Sequence, residues 1–373
     1  MERRNAWLSY TEAEEKELEK TAKAYRNFLN VGKTERECVT QIVKEAREAG
    51  YESLEEKTAK GEKLKAGDKI YTVGMKKIVA LFHIGQDDIE EGMNILGAHI
   101  DSPRLDVKQN PLYEDTDLAY LDTHYYGGIK KYHWVAMPLA IHGVVVKTDG
   151  TRININIGDK ENDPVFCITD LLPHLGQEQM QKNAAKVIEG EALDLLIGSR
   201  PVKDEEKEGV TKFINNLLEK EYGFVERDLL SAELEIVPAG KARDMGFDRS
   251  MVGGYGHDDR VDAYPALMAE IETEDPVHTT VCVLTDKEEI GSDGVTGMQS
   301  MYVFHFMQLL CRAAGQDDIL AFRNSVCLSA DVTAAYDPSW ASAFEKQNGT
   351  YAGRGIAIFK YTGSRGKSSA SDA

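Results

Sequence analysis

"GMNILGAHIDSP" occupies residues 92–103. Its apolar run is bounded by Gly92 on one side and Ser102-Pro103 on the other. It is too short for an ordinary helix and reads as a buried strand over 92–101 that ends in a histidine and an aspartate. "KIVALFHIG" (77–85) is a second run of the same kind. After Pro103 the texture changes. "WVAMPLAIHGVVVKTDGTRININIGD" (134–159) alternates as a hairpin turning at Asp149-Gly150. "GSRPVKDEEKEGVTKFINNLLEKEYG" (198–223) reads as a loop followed by a helix, and "AELEIVP" (232–238) closes the β-rich stretch. Beyond it α/β texture returns: helix 261–272, strand 279–285, helix 297–314 and strand 325–331. At the other end, helices are expected over 11–30, with a Thr cap and acidic first turn, and over 33–49, with Thr34 as cap and Gly50 as stop. The pattern predicts an α/β domain made of residues 1–103 and 241–373, interrupted by a β-rich domain at 104–240.

A chain of 373 residues suits two domains, and 42% apolar with 29% charged residues is an ordinary globular balance. No run reaches the ~18 apolar residues of a membrane span. The first residues carry no apolar core of a secretory signal. The five cysteines (Cys38, Cys167, Cys282, Cys311, Cys327) are odd in number and form no CxxC pair, which fits reduced thiols in a cytoplasm. A net charge of −19 argues against nucleic acid or an anionic membrane as partner.

Four acidic or histidine groups fall at the ends of expected α/β strands, where open sheets place their ligands. "GAHIDSP" supplies His99, with Asp101 two residues on and on the same face of an extended chain, where it can orient the imidazole. "GYGHDDRVDAY" supplies Asp258 and Asp259 before a helix. "VLTDKEEIGSDGVTG" (283–297) supplies Glu288 and Glu289, and "CLSADVTAAYDP" supplies Asp331. Each alone has an ordinary explanation. HxD occurs by chance, HDDR can cap a helix, KEE can be a solvated face, and SAD can be a turn. Together they are hard to attribute to solvation, because adjacent carboxylates repel unless a cation neutralises them. Imidazole mixed with carboxylates suits zinc, manganese or cobalt.

"GAHIDSPRLDVK", "GYGHDDRVDAYPAL", "TDKEEIGSDGVTG", "LSADVTAAYDP" and "GSRGKSSASDA" together resemble the aspartyl aminopeptidase family, especially its bacterial branch, in order along nearly the whole chain. The resemblance implies a metallopeptidase domain interrupted by a β-rich dimerisation domain. It also implies two divalent ions, most simply Zn2+ with Mn2+ or Co2+ as alternatives, and assembly of dimers into a dodecamer acting on peptides. It implies that Asp258 bridges the ions, that His99 and Asp331 complete one and Glu289 the other, and that Glu288 is the general base. "DLLPHLGQ" resembles the family segment that delivers a histidine to a neighbouring subunit, which assigns that role to His174. Packing of His174 in a core beside Leu171, Leu172 and Leu175 is the alternative. The other histidines (His83, His124, His133, His142, His257, His278, His305) are read as structural. In the family a further histidine for the second ion follows the "SASDA" segment. The sequence ends at Ala373, so the peptidase domain is expected to be C-terminally incomplete. A related dinuclear peptidase or deacylase, and a non-catalytic shell-forming homologue, are the competing readings.

Overall fold

A computed structural model describes residues 4–203, 207–364 and 367–370. They fall into two compact units, residues 25–330 and residues 1–24 with 331–373. In the smaller unit the Ala6 N–H bonds the Gly353 carbonyl, and Tyr361–Ser364 pairs antiparallel with Lys367–Ala370. Of the "GSRGKSSASDA" motif, residues 365, 366 and 371–373 lie outside the described residues.

Helix α1 (Glu12–Val31) buries Phe28 and Leu29 at its C-terminal end. Helix α2 (Glu35–Glu48) starts in a full capping box. Thr34 Oγ1 accepts the Glu37 N–H at 3.2 Å, and Glu37 returns a carboxylate to the Thr34 N–H at 3.1 Å. Two otherwise orphaned amide donors are satisfied, and losing the cap costs ~1 kcal/mol. The inward residues Cys38, Val39, Ile42 and Ala46 follow helical spacing. Next come β1 (Glu52–Ser53), α3 (Leu54–Ala59), β2 (Lys69–Gly74), β3 (Ile78–His83) and β4 (Met93–His99).

The chain then builds a second sheet from β5 (Arg104–Asp115), β6 (Leu118–Tyr126), β7 (Leu139–Val146), β8 (Arg152–Ile157), β9 (Leu195–Gly198) and, after α4 (Gly209–Leu217), β10 (Glu233–Pro238). Every pairing in it is antiparallel, in the order β8-β7-β10-β5-β6-β9. The β7–β8 turn falls at Asp149-Gly150, where Gly150 adopts φ +85°. Leu105, Leu139, Val145, Leu193, Leu195 and Ile236 make its core.

A small hairpin, β11 (Arg243–Met245) with β12 (Met251–Gly253), leads into α5 (His257–Glu272). β13 (Thr279–Thr285) returns to the first sheet, followed by α6 (Met301–Ala314), α7 (Asp318–Asn324) and β14 (Val326–Ser329). The first sheet runs β1-β2-β3-β13-β4-β14, with β13 and β14 both parallel to β4. The sheet is mixed, since β3 pairs antiparallel with both β2 and β13, and its central strands β3 and β13 are buried on both faces. Ile78, Ala80 and Phe82 of β3 and Val281 and Val283 of β13 pack with Val303, Phe306, Met307 and Leu310 of α6. Val79, Leu81, Cys282 and Leu284 are buried on the other face, against which α2 and α5 pack. Burial contributes roughly 1.5–3 kcal/mol per large side chain, and Phe306→Ala would cost ~3–5 kcal/mol.

The architecture is therefore mixed α/β with an inserted β-rich region, as the sequence predicts. Several elements escape the sequence reading, among them β1, α3, the β11–β12 hairpin, β2 and α7. β2 is a half-polar strand beside β3, and α7 is a seven-residue helix capped by the Asp317 carboxylate on the Leu320 N–H at 3.0 Å. No helix among the described residues is long and apolar enough to cross a membrane.

Candidate metal centre

Parallel pairing brings Thr285, the last residue of β13, beside His99, the last of β4. Both strands then leave the sheet at the same end. Past β13 the chain turns sharply, with Lys287 at φ +70° and a short 3-10 turn over Glu288–Ile290. Asp286 is buried and anchors this turn. Its carboxylate accepts the Thr296 hydroxyl at 2.7 Å and the Lys287 N–H at 2.8 Å.

Asp101 joins the two strand ends. It is fully buried, and its carboxylate accepts the Glu288 N–H and the Glu289 N–H, each at 3.2 Å, and the Tyr126 hydroxyl at 2.7 Å. It also lies 3.2 Å from His99 Nδ1. Burial alone would raise the Asp101 pKa, but these bonds outweigh it and hold the carboxyl below its usual value. The imidazole is thereby oriented with Nε2 3.2 Å from Asp258 Oδ1 and 3.7 Å from Glu288 Oε2.

Asp258 and Asp259 have non-helical dihedrals at the start of α5, so regular helix begins at Arg260. The half-exposed Asp258 side chain faces His99, whereas Asp259 is buried and its Oδ2 accepts the His99 N–H at 3.4 Å. Ligating atoms of His99 and Asp259 lie within 4.8 Å of one another. Burial, then the Asp262 hydrogen bond, pushes Asp259 up to about 8. Burial, then the charge of Asp258, pushes Glu289 up to about 7.

These residues fit divalent ions. Asp259 Oδ1 and Glu289 Oε1 are buried with no hydrogen-bond partner among the described residues, an expensive arrangement that a cation resolves. Nitrogen and oxygen donors at strand ends are the set for zinc or a similar metal. A second acidic group, Glu35 with Glu233 and Glu235, is of another kind. Lys77 Nζ lies 2.7 Å from Glu35 and also pairs with Glu233, while Arg104 reaches Glu235 at 3.1 Å and Glu35 at 3.4 Å. Its positive charge is already present as side chains.

Asp331 follows Ala330, whose N–H bonds the Gly97 carbonyl at 2.8 Å, so it begins just past the carboxyl end of β14. His174 is exposed, as are Leu171, Leu172 and Leu175, so its packing in a core is overturned. Instead His174, Leu171 and Leu175 line an open cleft of about 720 Å³.

The sequence reading missed Tyr126, which ends β6, and Gly127, which follows it beside the glutamate turn. A Cβ on Gly127, which sits at φ +76°, would come 3.0 Å from Glu289 Oε2. The Gly127-Gly128 pair closing an aromatic strand is the one local signal of close backbone approach.

An imidazole and several carboxylates converging at the carboxyl ends of parallel strands define a metal-dependent hydrolase with a dinuclear centre. The chain belongs to the aminopeptidase I zinc metalloprotease (M18) family, whose model matches residues 28–373. It is 53% identical over 377 residues to a probable M18 family aminopeptidase 1 of Clostridium acetobutylicum, spanning all of this chain and 81% of that one. The crystal structure of an M18 aminopeptidase from Thermotoga maritima superposes with a TM-score of 0.93 at 41% identity, covering 100% of this chain and 82% of that one. The S. cerevisiae mApe1 dodecamer structure, 19% identical, shares the fold with a TM-score of 0.69 over 88% of this chain and 75% of that one. The protein is a metal-dependent aminopeptidase.

Proposed function

We propose that the enzyme removes a single N-terminal residue from peptides, with aspartate and glutamate preferred. The acidic preference rests on the motif resemblance to aspartyl aminopeptidases. One observation carries the chemistry: Asp101 ties His99 and the Glu288–Glu289 turn together at the ends of β4 and β13.

In this reading His99, Asp258, Asp331 and Glu289 would hold two divalent ions, His99 and Asp331 serving one, Glu289 the other and Asp258 both. Once bound, the ions supply Lewis acidity to the scissile carbonyl and acidify the attacking water. Glu288 takes the water's proton and returns it to the leaving amine, which requires only hydrogen-bond reach. Asp101 holds the His99 tautomer through Nδ1, so that Nε2 is the ligating atom.

The inserted domain runs from 104 to 240 in this reading. Copies of the chain pair through it, and His174 enters a neighbour's site. Exposed Leu171, Leu172 and Leu175 around His174 support a contact surface there. That mApe1 forms a dodecamer on the same fold is the reason to test that stoichiometry. The unpaired cysteines, Cys38, Cys282 and Cys311 among them buried, support a reducing, cytoplasmic setting.

A panel of aspartyl, glutamyl, leucyl and lysyl chromogenic substrates, assayed with zinc, manganese and cobalt, tests the proposal. Faster turnover of the acidic substrates is expected. Equal or faster leucyl turnover would refute the acidic preference and leave the aminopeptidase intact. Two bound ions without any turnover would favour a shell-forming homologue.

A further inference from the structure

The second sheet reaches the metal centre through one strand end. Tyr126, the last residue of β6, is buried, and its hydroxyl donates to Asp101 Oδ2 at 2.7 Å. The same oxygen accepts the Glu289 N–H, while Oδ1 accepts the Glu288 N–H and lies 3.2 Å from His99 Nδ1. The phenol ring is itself held. The Arg104 guanidinium carbon lies 3.8 Å from its centre, and Arg104 Nε is fixed by Asp106 at 2.9 Å and Glu235 at 3.1 Å. Burial and the Asp101 charge raise the phenol pKa, so the hydroxyl stays a donor. Gly127 follows with its Cα against Glu289, where an added Cβ would lie 3.1 Å from the Glu289 Cβ.

We propose that Tyr126 is a positioning residue of the metal centre, and that Gly127 keeps open the space Glu289 needs. The Tyr126 hydroxyl tightens the hold on the Asp101 carboxylate, with a shorter bond than either backbone N–H gives. Asp101 in turn fixes the His99 ring and the backbone of the Glu288–Glu289 turn. Without the hydroxyl, Oδ2 loses its shorter bond, and the longer 3.2 Å contacts from the Glu288 and Glu289 N–H groups and His99 hold the carboxylate less tightly. The inserted sheet thereby sets metal affinity without contributing a ligand. The inference rests on His99 and Glu289 being ligands.

Tyr126→Phe removes the oxygen and leaves the ring on Arg104. Metal-stripped wild type and variant are titrated with Zn2+ against a chromophoric chelator, and the visible spectrum of each Co2+ form is recorded. Tyr125→Phe is the control, because neighbouring residues of a strand face opposite ways and Tyr125 is 40% exposed. Tyr126→Phe is expected to bind at least one ion ~10–100-fold more weakly and to shift the Co2+ band, with the metal-free protein melting only slightly lower, as the loss of one buried hydrogen bond requires. Tyr125→Phe should match wild type, and Gly127→Ala should lose occupancy of one ion. Wild-type affinity and an unshifted band in Tyr126→Phe would overturn the inference while the metal centre stands. So would an affinity loss matched by a strongly destabilised metal-free protein, since that marks a packing role. If wild type itself takes up no ion, the metal centre and this inference fall together.

Discussion

The His142 imidazole of β7 stands 2.9 Å from the Glu37 carboxylate of α2. Its other nitrogen, Nε2, lies 3.0 Å from Asp159, which also accepts Lys33 Nζ at 2.7 Å. A carboxylate beside each nitrogen favours the charged form of the ring, which joins β7 of the second sheet to α2.

Burial pulls the His142 pKa down, but the bonds to Asp159 and Glu37 outweigh it and raise the value. The stabilisation is therefore complete below the unfolded value of ~6.5 and is lost as pH rises through the raised folded value. Asp159 has the opposite sign. Burial opposes, but His142 and Lys33 hold it down to about 2, so its share is present above ~3.9 and lost as pH falls toward the folded value. Urea midpoints measured against pH should fall on the alkaline side in wild type and stay flatter there in His142→Gln. Parallel curves would show that His142 is not charged.

Arg104→Met should destabilise the protein strongly. Arg104 is buried between Glu35 and Glu235, and the methionine keeps volume while leaving Glu35 with Lys77 alone and taking away the cation beside buried Glu235. Removing one partner of such a cluster costs ~3–5 kcal/mol. An unchanged melting temperature would mean that the cluster is electrostatically neutral without it.

Glu288→Gln should lower kcat by ~10²–10⁴-fold with both ions retained, since an amide cannot accept the water's proton. Glu289→Gln should instead lower metal content, because a neutral oxygen binds a cation weakly. The reverse pattern in metal analysis and kinetics would exchange the two roles.

His174→Ala should impair turnover while metal content and melting stay unchanged, as expected for an exposed loop residue. Mixing it with Glu288→Gln should restore some activity, because a hybrid interface can pair an intact His174 with an intact Glu288. No recovery after verified subunit exchange would place its action within its own chain.

What was legible follows from range. β4 and β13 announce themselves as short apolar runs between turn residues, and His99, Asp258, Glu288, Glu289 and Asp331 stand at or beside the ends of such elements. Local pattern could not show that Asp101 bonds residues more than 180 positions away, because nothing near Asp101 encodes the turn it grips. Tyr126 resembles any strand aromatic until its hydroxyl is seen on Asp101. Nor does "HDDR" reveal that Asp259 turns inward while Asp258 stays half exposed. The leucines around His174 suggested a core by composition, and only the course of the loop exposes them.

The neighbours β4 and β13 are separated in the chain by residues 100–278. Closing so long a loop from the unfolded state makes the β4–β13 pairing entropically costly to form. The inserted sheet shortens the journey, because its first and last strands, β5 and β10, pair with each other at Leu105–Ile236. If those strands form early, the loop that remains is effectively roughly 45 residues, and its closure costs about 1 kcal/mol less. The insertion would then act as a folding clamp, and substitutions that slow the β5–β10 pairing should delay assembly of the catalytic sheet more than they weaken the finished protein.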